Sequence, residues 1–192
     1  MDIGGISPGS MPPFSTTLHQ EGACIETFKL IDNGKFQKND LCLVLKGSRR
    51  LPDNISDLKA QAAANNKGSE LLVEMADRYS LETVHAYMAH IMVTAERAVR
   101  EMLKNIFQEK NLDRQGELKA QDVMDDGSVI CLSVAIDPGS GNAVFNFNGT
   151  SPQVDGNWNA PAAVVLSAII YAVRCLVKTD LPLNQGCLKP IE

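Results

Sequence analysis

The residues whose types and spacing could do chemistry crowd the start of the chain. Asp2-Ile3-Gly4-Gly5 sets a carboxylate directly before paired glycines, and Ile6-Ser7-Pro8-Gly9-Ser10-Met11-Pro12-Pro13 follows. Glycine lets a backbone come close to a ligand or a metal because no Cβ intervenes. The run therefore reads either as a loop that holds an acid against a metal or a small substrate, or as a tight turn around a buried acid. Leu18-His19-Gln20-Glu21-Gly22 adds an imidazole and a second carboxylate just ahead of an expected strand. Imidazole nitrogens and carboxylate oxygens suit zinc or transition metals, which makes His19, with Glu21 beside it, a metal candidate. Arg50 offers a bidentate fork for a substrate carboxylate. Asp57 and Asn184 complete the set of candidate polar residues. His85 and His90 lie five apart and point to different faces of a helix, so they read as packing or surface residues.

Elements must position these groups. Residues 1–13 read as loop, punctuated by Pro8, Pro12 and Pro13. Residues 23–31 read as a strand, and the apolar run Leu41–Leu45 precedes a polar turn. A first long helix is expected from about Asp53–Asp57 to Tyr79, favoured by Lys59-Ala60-Gln61-Ala62-Ala63-Ala64. A second is expected from Leu81 to Phe107, with the stripe Val84, Met88, Ile91, Ala95, Ala98, Met102 and Ile106. Joined at Ser80, the pair forms a long helical hairpin. Asp122, Asp125 and Asp126 before Gly127 read as a turn into a β-hairpin. Ile130, Leu132, Val134 and Ile136 alternate along its first strand. Asp137 to Asn142 is turn chemistry, and Ala143–Phe147 is the return strand. The run Ala160–Val177 is apolar nearly all round. It is shorter than the roughly 20 residues a membrane span needs and carries Arg174, so a buried C-terminal helix is expected. Asn159 is placed to be its N-cap, with Pro161 near its first position. The expected class is α+β.

Composition narrows the class of function. Hydrophobic content of 44% and charged content of 21% are those of a globular chain. The net charge is −5 with signs interspersed, and there is no basic patch with interleaved aromatics, so nucleic acid is not an expected partner. The five cysteines are scattered without any C-x-x-C pair, which argues against a disulfide framework or a zinc ribbon. No secretory signal opens the chain, so the expected compartment is the cytoplasm, with no membrane partner. Nucleotide-binding fingerprints of the P-loop and dinucleotide types are missing. Asp2-Ile3-Gly4-Gly5 resembles the phosphate loop of actin-like ATPases, but that loop carries Thr or Ser where Ile6 stands.

Taken in order, these motifs resemble the hydantoinase B/oxoprolinase family. Asp2-Ile3-Gly4-Gly5 through Pro8-Gly9-Ser10, then Glu21-Gly22, resemble its H-x-x-D-x-G-G…P-G-S and E-G. Arg50…Asn54…Asp57-Leu58…Ala60-Gln61 resembles its R-x-x-x-N-x-x-D-L-x-A-Q. Asp125-Asp126-Gly127, Phe147-Asn148-Gly149-Thr150 with Gln153, Asn157-Trp158-Asn159-Ala160 and Pro182-Leu183-Asn184-Gln185-Gly186 complete the series. The details are most similar to the eukaryotic-type oxoprolinase branch. The family's leading His falls before Met1, and Asn146 stands where the family has Asp. Both ends read as cut, so residues 1–192 are expected to be part of a larger hydantoinase B-type domain.

The resemblance implies a hydrolase that opens the cyclic amide of 5-oxo-L-proline to L-glutamate, in glutathione metabolism. ATP would be bound by an A-type half that this chain lacks, and a divalent metal such as Mg or Mn would be a further cofactor. It implies Asp2, Glu21 and Asp57 as catalytic acids, Arg50, Asn184, Gly4 and Gly5 as substrate-binding residues, and Asp2 with His19 as metal ligands. The implied partners are 5-oxo-L-proline, the A-type half or subunit, and further copies of the full enzyme in a homo-oligomer. The isolated chain is expected to be inactive. Two alternatives stand beside this: a non-catalytic assembly module paired with an A-type subunit, and a subunit of a hydantoinase or ketone carboxylase.

Overall fold

The structure, a computed structural model, describes residues 1–9, 12–113, 116–182 and 184–192. Ser10, Met11 and Leu183 of the motifs above lie outside the described residues. The chain forms two compact units, residues 1–75 with 153–159 and residues 76–152 with 160–192. The class is α+β as expected.

The first unit opens with a loop that leads into a 3-10 turn at Leu18–Glu21. The expected strand at residues 23–31 does not form. Instead β1 (Ile31–Asp32) and β2 (Lys35–Phe36) make a short antiparallel hairpin. Asn33 and Gly34 both take positive φ between them, as a tight two-residue hairpin turn requires. The apolar run after it is helical: α1 spans Lys38–Val44 and buries Leu41, with Leu45 beneath it at 0% exposure. A four-residue spacing puts both leucines on one face of a turn of helix. The helix α2 then covers Leu51–Tyr79. Pro52 sits in its first turn, where a missing N–H costs nothing. Its single buried residue is Asn54, while Leu71, Leu72, Val73 and Met75 are exposed.

Ser80 begins the second unit's long helix α3 (Leu81–Glu109) as an N-cap, its hydroxyl accepting from the Thr83 amide. Only part of the expected stripe is buried. Met88 and Ile91 are exposed, and the packed face is Ala95, Val99, Met102 and Leu103. That half of α3 meets Ile136, Ala143, Ile169, Val173 and Cys187 in one core.

The sheet of this unit has order β3-β4-β5, all antiparallel, with β3 at Glu117–Val123, β4 at Val129–Ile136 and β5 at Ala143–Asn146. The sequence reading missed β3, whose polar residues are exposed except for Leu118. The turn before β4 is as expected: Asp126 Oδ1 accepts from the Ser128 amide and Gly127 takes φ +84. Thr150 Oγ1 accepts from the Cys131 amide and donates to the Cys131 carbonyl, so the Gly149-Thr150 motif stitches the chain back to β4. At the far end, Ile191 bridges Ala143 in parallel and lengthens the sheet beyond β5.

The C-terminal helix α4 runs over Ala162–Leu176. Asn159 does not cap it; Pro161 holds that position without a side-chain cap. The Asn159 amide instead binds the Val154 and Gly156 carbonyls and closes its own loop. Nor is the helix buried throughout. Ile169 and Val173 are, but Val164, Leu166, Tyr171 and Leu176 are exposed, because the described residues cover only one side of it. Among the described residues no helix is long and apolar enough to cross a membrane.

Candidate active-site loop

The first unit gathers part of the expected site around residues 2–9. Asp2 folds the loop about its own carboxylate: Oδ1 accepts from the Gly4 amide at 3.0 Å and Oδ2 from the Gly9 amide at 3.1 Å. The Arg49 guanidinium reaches Oδ1 at 3.1 Å. The amides of Gly9 and Gly4, then the Arg49 charge, hold the Asp2 carboxyl below the usual carboxylate range. The backbone carbonyl of Asp2 is fixed as well, accepting from Ser48 Oγ at 3.1 Å and from Asn54 Nδ2 at 2.8 Å. Asn54 is 2% exposed and also donates to Ser48 Oγ. The turn at 48–50 and the first turn of α2 thus grip the loop from one side.

The glycines grip it from the other. Gly4 pairs with Gly22 in an antiparallel bridge, the Ala23 amide donates to the Ile3 carbonyl, and the Ile6 amide donates to the Gln20 carbonyl at 2.8 Å. A Cβ on Gly4 would lie 2.2 Å from the Gly47 carbonyl oxygen, and one on Gly5 2.7 Å from that of Gln20. The bare α-carbons therefore serve close packing of the chain against itself.

Glu21 stands beside this loop on the neighbouring segment, half-buried, with Oε1 accepting from Ser15 Oγ at 3.2 Å. Its Oε2 has no hydrogen-bond partner among the described residues, so it is the carboxylate oxygen free to meet another molecule. His19 lies in the same 3-10 turn but is exposed. Arg50 is turned outward and pairs with Asp53 at 2.6 Å on the surface, and Asp57 is exposed further along α2. Asn184 belongs to the second unit, where its side chain accepts from the Gly186 amide and donates to the Pro182 carbonyl. Asn146 Oδ1 accepts from the Asn148 amide, a turn contact that an aspartate would make equally well.

Arg49 is the side chain on the candidate loop that sequence reasoning missed. Its signal was the Arg49-Arg50 pair, from which motif spacing selected the second member, and only the fold shows the first reaching over the Asp2 loop while still exposed. Among the described residues, no three His, Cys, Asp or Glu side chains come together as a ligand set. With Oδ1 of Asp2 doubly engaged, Oδ2 bound to an amide and His19 exposed, the residues in place do not fit a metal centre.

Comparison with known proteins accounts for this arrangement. The hydantoinase B/oxoprolinase family model matches residues 1–192. The chain is 47% identical over 210 residues to 5-oxoprolinase 1 of Arabidopsis thaliana, a match covering 100% of this chain and 17% of that protein. It is 50% identical over 190 residues to 5-oxoprolinase of Dictyostelium discoideum, covering 99% of this chain and 15% of that protein. The putative B-type component of a D-/L-hydantoinase from Pseudomonas sp. is 28% identical over 206 residues, 34% of its own length. The chain thus spans a small part of the relatives it matches. The motif order, the glycine-packed loop and a family match along its whole length agree: the chain belongs to the hydantoinase B/oxoprolinase family.

Proposed function

We propose that this chain is part of the ring-opening half of an ATP-dependent 5-oxoprolinase, acting on 5-oxo-L-proline to give L-glutamate in glutathione turnover in the cytoplasm. The observation that carries this reading is identity of 47% and 50% to proteins named 5-oxoprolinase along essentially the whole chain, against 28% to a hydantoinase component. The chemistry follows from the substrate. A five-membered lactam resists hydrolysis, so its carbonyl oxygen must be activated before water attacks the carbonyl carbon and the ring C–N bond breaks. ATP, held by an A-type half, would supply that activation by transferring its γ-phosphoryl group to the amide oxygen with release of ADP; ring opening would then leave an acyl phosphate, from which a second water would displace phosphate to give L-glutamate.

What the present residues contribute is an acid and a rigid wall. In this reading Glu21, whose Oε1 accepts from Ser15 while Oε2 is left for another molecule, would take a proton from water or return one to the ring nitrogen. The Asp2–Gly9 loop holds the backbone of residues 20–22 beside it, and Ser15 holds Glu21 Oε1. Asp2 acts through the loop rather than on substrate, since its oxygens are already bound within it.

The test is a chimera in which this chain replaces the matching segment of the Dictyostelium enzyme. The expected result is glutamate release from 5-oxoproline coupled to ATP hydrolysis, with E21Q reducing turnover by about a hundredfold. Turnover of hydantoin but not of 5-oxoproline would refute the substrate assignment. Association with an A-type half without turnover of either would favour the assembly-module alternative.

A further inference from the structure

We infer that Arg49 is the positioning residue of the Asp2–Gly9 loop and, through Gly5, of the segment that carries Glu21. The guanidinium makes separate contacts within one loop. It reaches Asp2 Oδ1 at 3.1 Å and the Ser7 carbonyl at 3.4 Å through one terminal nitrogen, and the Gly5 carbonyl through the other. These acceptors lie 42 to 47 residues away in sequence, in a stretch with no regular secondary structure of its own. Such a stretch is shaped by its side-chain ties together with its few backbone bonds to residues 20–23, because no helix or longer strand ladder fixes it.

Gly5 is the link to the acid. It is buried, and its α-carbon lies so close to the Gln20 and Glu21 carbonyls that an added Cβ would stand 2.7 and 2.9 Å from them. The amide that follows it, on Ile6, donates to the Gln20 carbonyl at 2.8 Å. Holding the Gly5 carbonyl therefore holds the backbone of residues 20–21. A planar fork with fixed N–H directions can satisfy a carboxylate and carbonyls at once, whereas an ammonium is a point charge on a flexible stem. Lysine should therefore keep the charge near Asp2 and lose the geometry. Ser48 and Asn54 reach the loop through their side chains only at the Asp2 carbonyl, so they do not replace the ties to Gly5 and Ser7.

The catalytic part of this inference rests on the ring-opening reading; the loop part does not, and the experiment separates them. In the chain itself, R49K and R49Q are examined by amide hydrogen exchange. The expected result is exchange about tenfold faster at Gly4, Ile6 and Ala23, with unchanged protection at Val99 and Leu103 in α3. Wild-type exchange at Gly4 and Ile6 in R49K would overturn the inference. So would equal loss at Val99, since Arg49 would then be a general support of the fold. In the chimera, R49K should lower kcat about tenfold while KM for 5-oxoproline stays within about twofold. A raised KM with kcat untouched would overturn positioning through Glu21. If the unsubstituted chimera releases no glutamate, the 5-oxoproline reading fails, and the exchange result still decides the role of Arg49 in the loop.

Discussion

Replacing Gly4 by alanine tests whether close backbone packing, rather than glycine's freedom of φ, governs the loop. The added Cβ would lie 2.2 Å from the Gly47 carbonyl oxygen and 2.6 Å from its carbon. Carbon and oxygen rest at about 3.3 Å, so residues 4 and 47 must part by about 1 Å, starting from the 2.2 Å approach. The Asp2 carbonyl bonds to Ser48 and Asn54 lie within two residues of that contact and cannot survive such a shift together with the Gly4–Gly22 bridge. Losing two such bonds costs about 2 kcal/mol, added to about 1–3 kcal/mol for placing a non-glycine residue at strained positive φ. Gly9 supplies the control: its φ is +116, but a Cβ there meets nothing within 4 Å. Gly9→Ala should therefore carry only the conformational cost, and Gly4→Ala should exceed it by about 2 kcal/mol. The single tryptophan, Trp158, belongs to the same unit as the loop and reports on its unfolding in urea by fluorescence. Equal shifts of the urea midpoint in the two variants would show that packing against Gly47 is not what requires glycine at position 4.

Further outcomes are expected away from the loop. Glu96 accepts from Arg100 and pairs with Lys189; first the Arg100 hydrogen bond, then both positive charges, hold its carboxyl below the ordinary 4.5. A lowered folded value means the stabilisation is complete above the unfolded value and disappears as pH falls through the folded one. The stability gap between wild type and E96Q should be constant at neutral pH and close below about pH 4.5; a gap independent of pH in thermal melts would refute the coupling. Leu103→Ala, at a 3% exposed core site, should cost about 2–5 kcal/mol. Leu71→Ala, on the exposed stretch of α2 at 48%, should cost less than about 0.5 kcal/mol in the same denaturation assay.

Periodicity made the largest elements legible. The alternation from Ile130 to Ile136 and the three-and-four spacing along α3 both mark their elements because a packed face repeats with the geometry of the backbone. The strand β3 carried no such mark: it is an edge strand held by its ladder to β4, and its side chains face solvent, so nothing selects alternating apolar residues. Residues 23–31 failed in the opposite way, with apolar residues enough for a strand but no partner edge, leaving only the β1–β2 hairpin at their end. At the candidate site, Asp2, Gly4, Gly5 and Glu21 were selected by residue type, and the fold sets them close together through the Gly4–Gly22 bridge and the packing of Gly5 on the Gln20 and Glu21 carbonyls. Arg49 was not found, because which of two adjacent arginines reaches the loop depends on the turn at Ser48 and on the start of α2. The use of the glycines for self-packing was equally hidden, since the surface they pack on includes Gly47, more than forty residues away.

The chain passes from one unit to the other at residues 75–76, 152–153 and 159–160. The short return at 153–159 is not idle, for Asn157 Nδ2 donates to the Pro12 carbonyl across 145 residues of sequence. During synthesis, the Pro12 carbonyl must therefore wait for Asn157 until α3 and the sheet strands have already emerged. The first unit matures late although it is made first, and no single cut of the chain releases it whole.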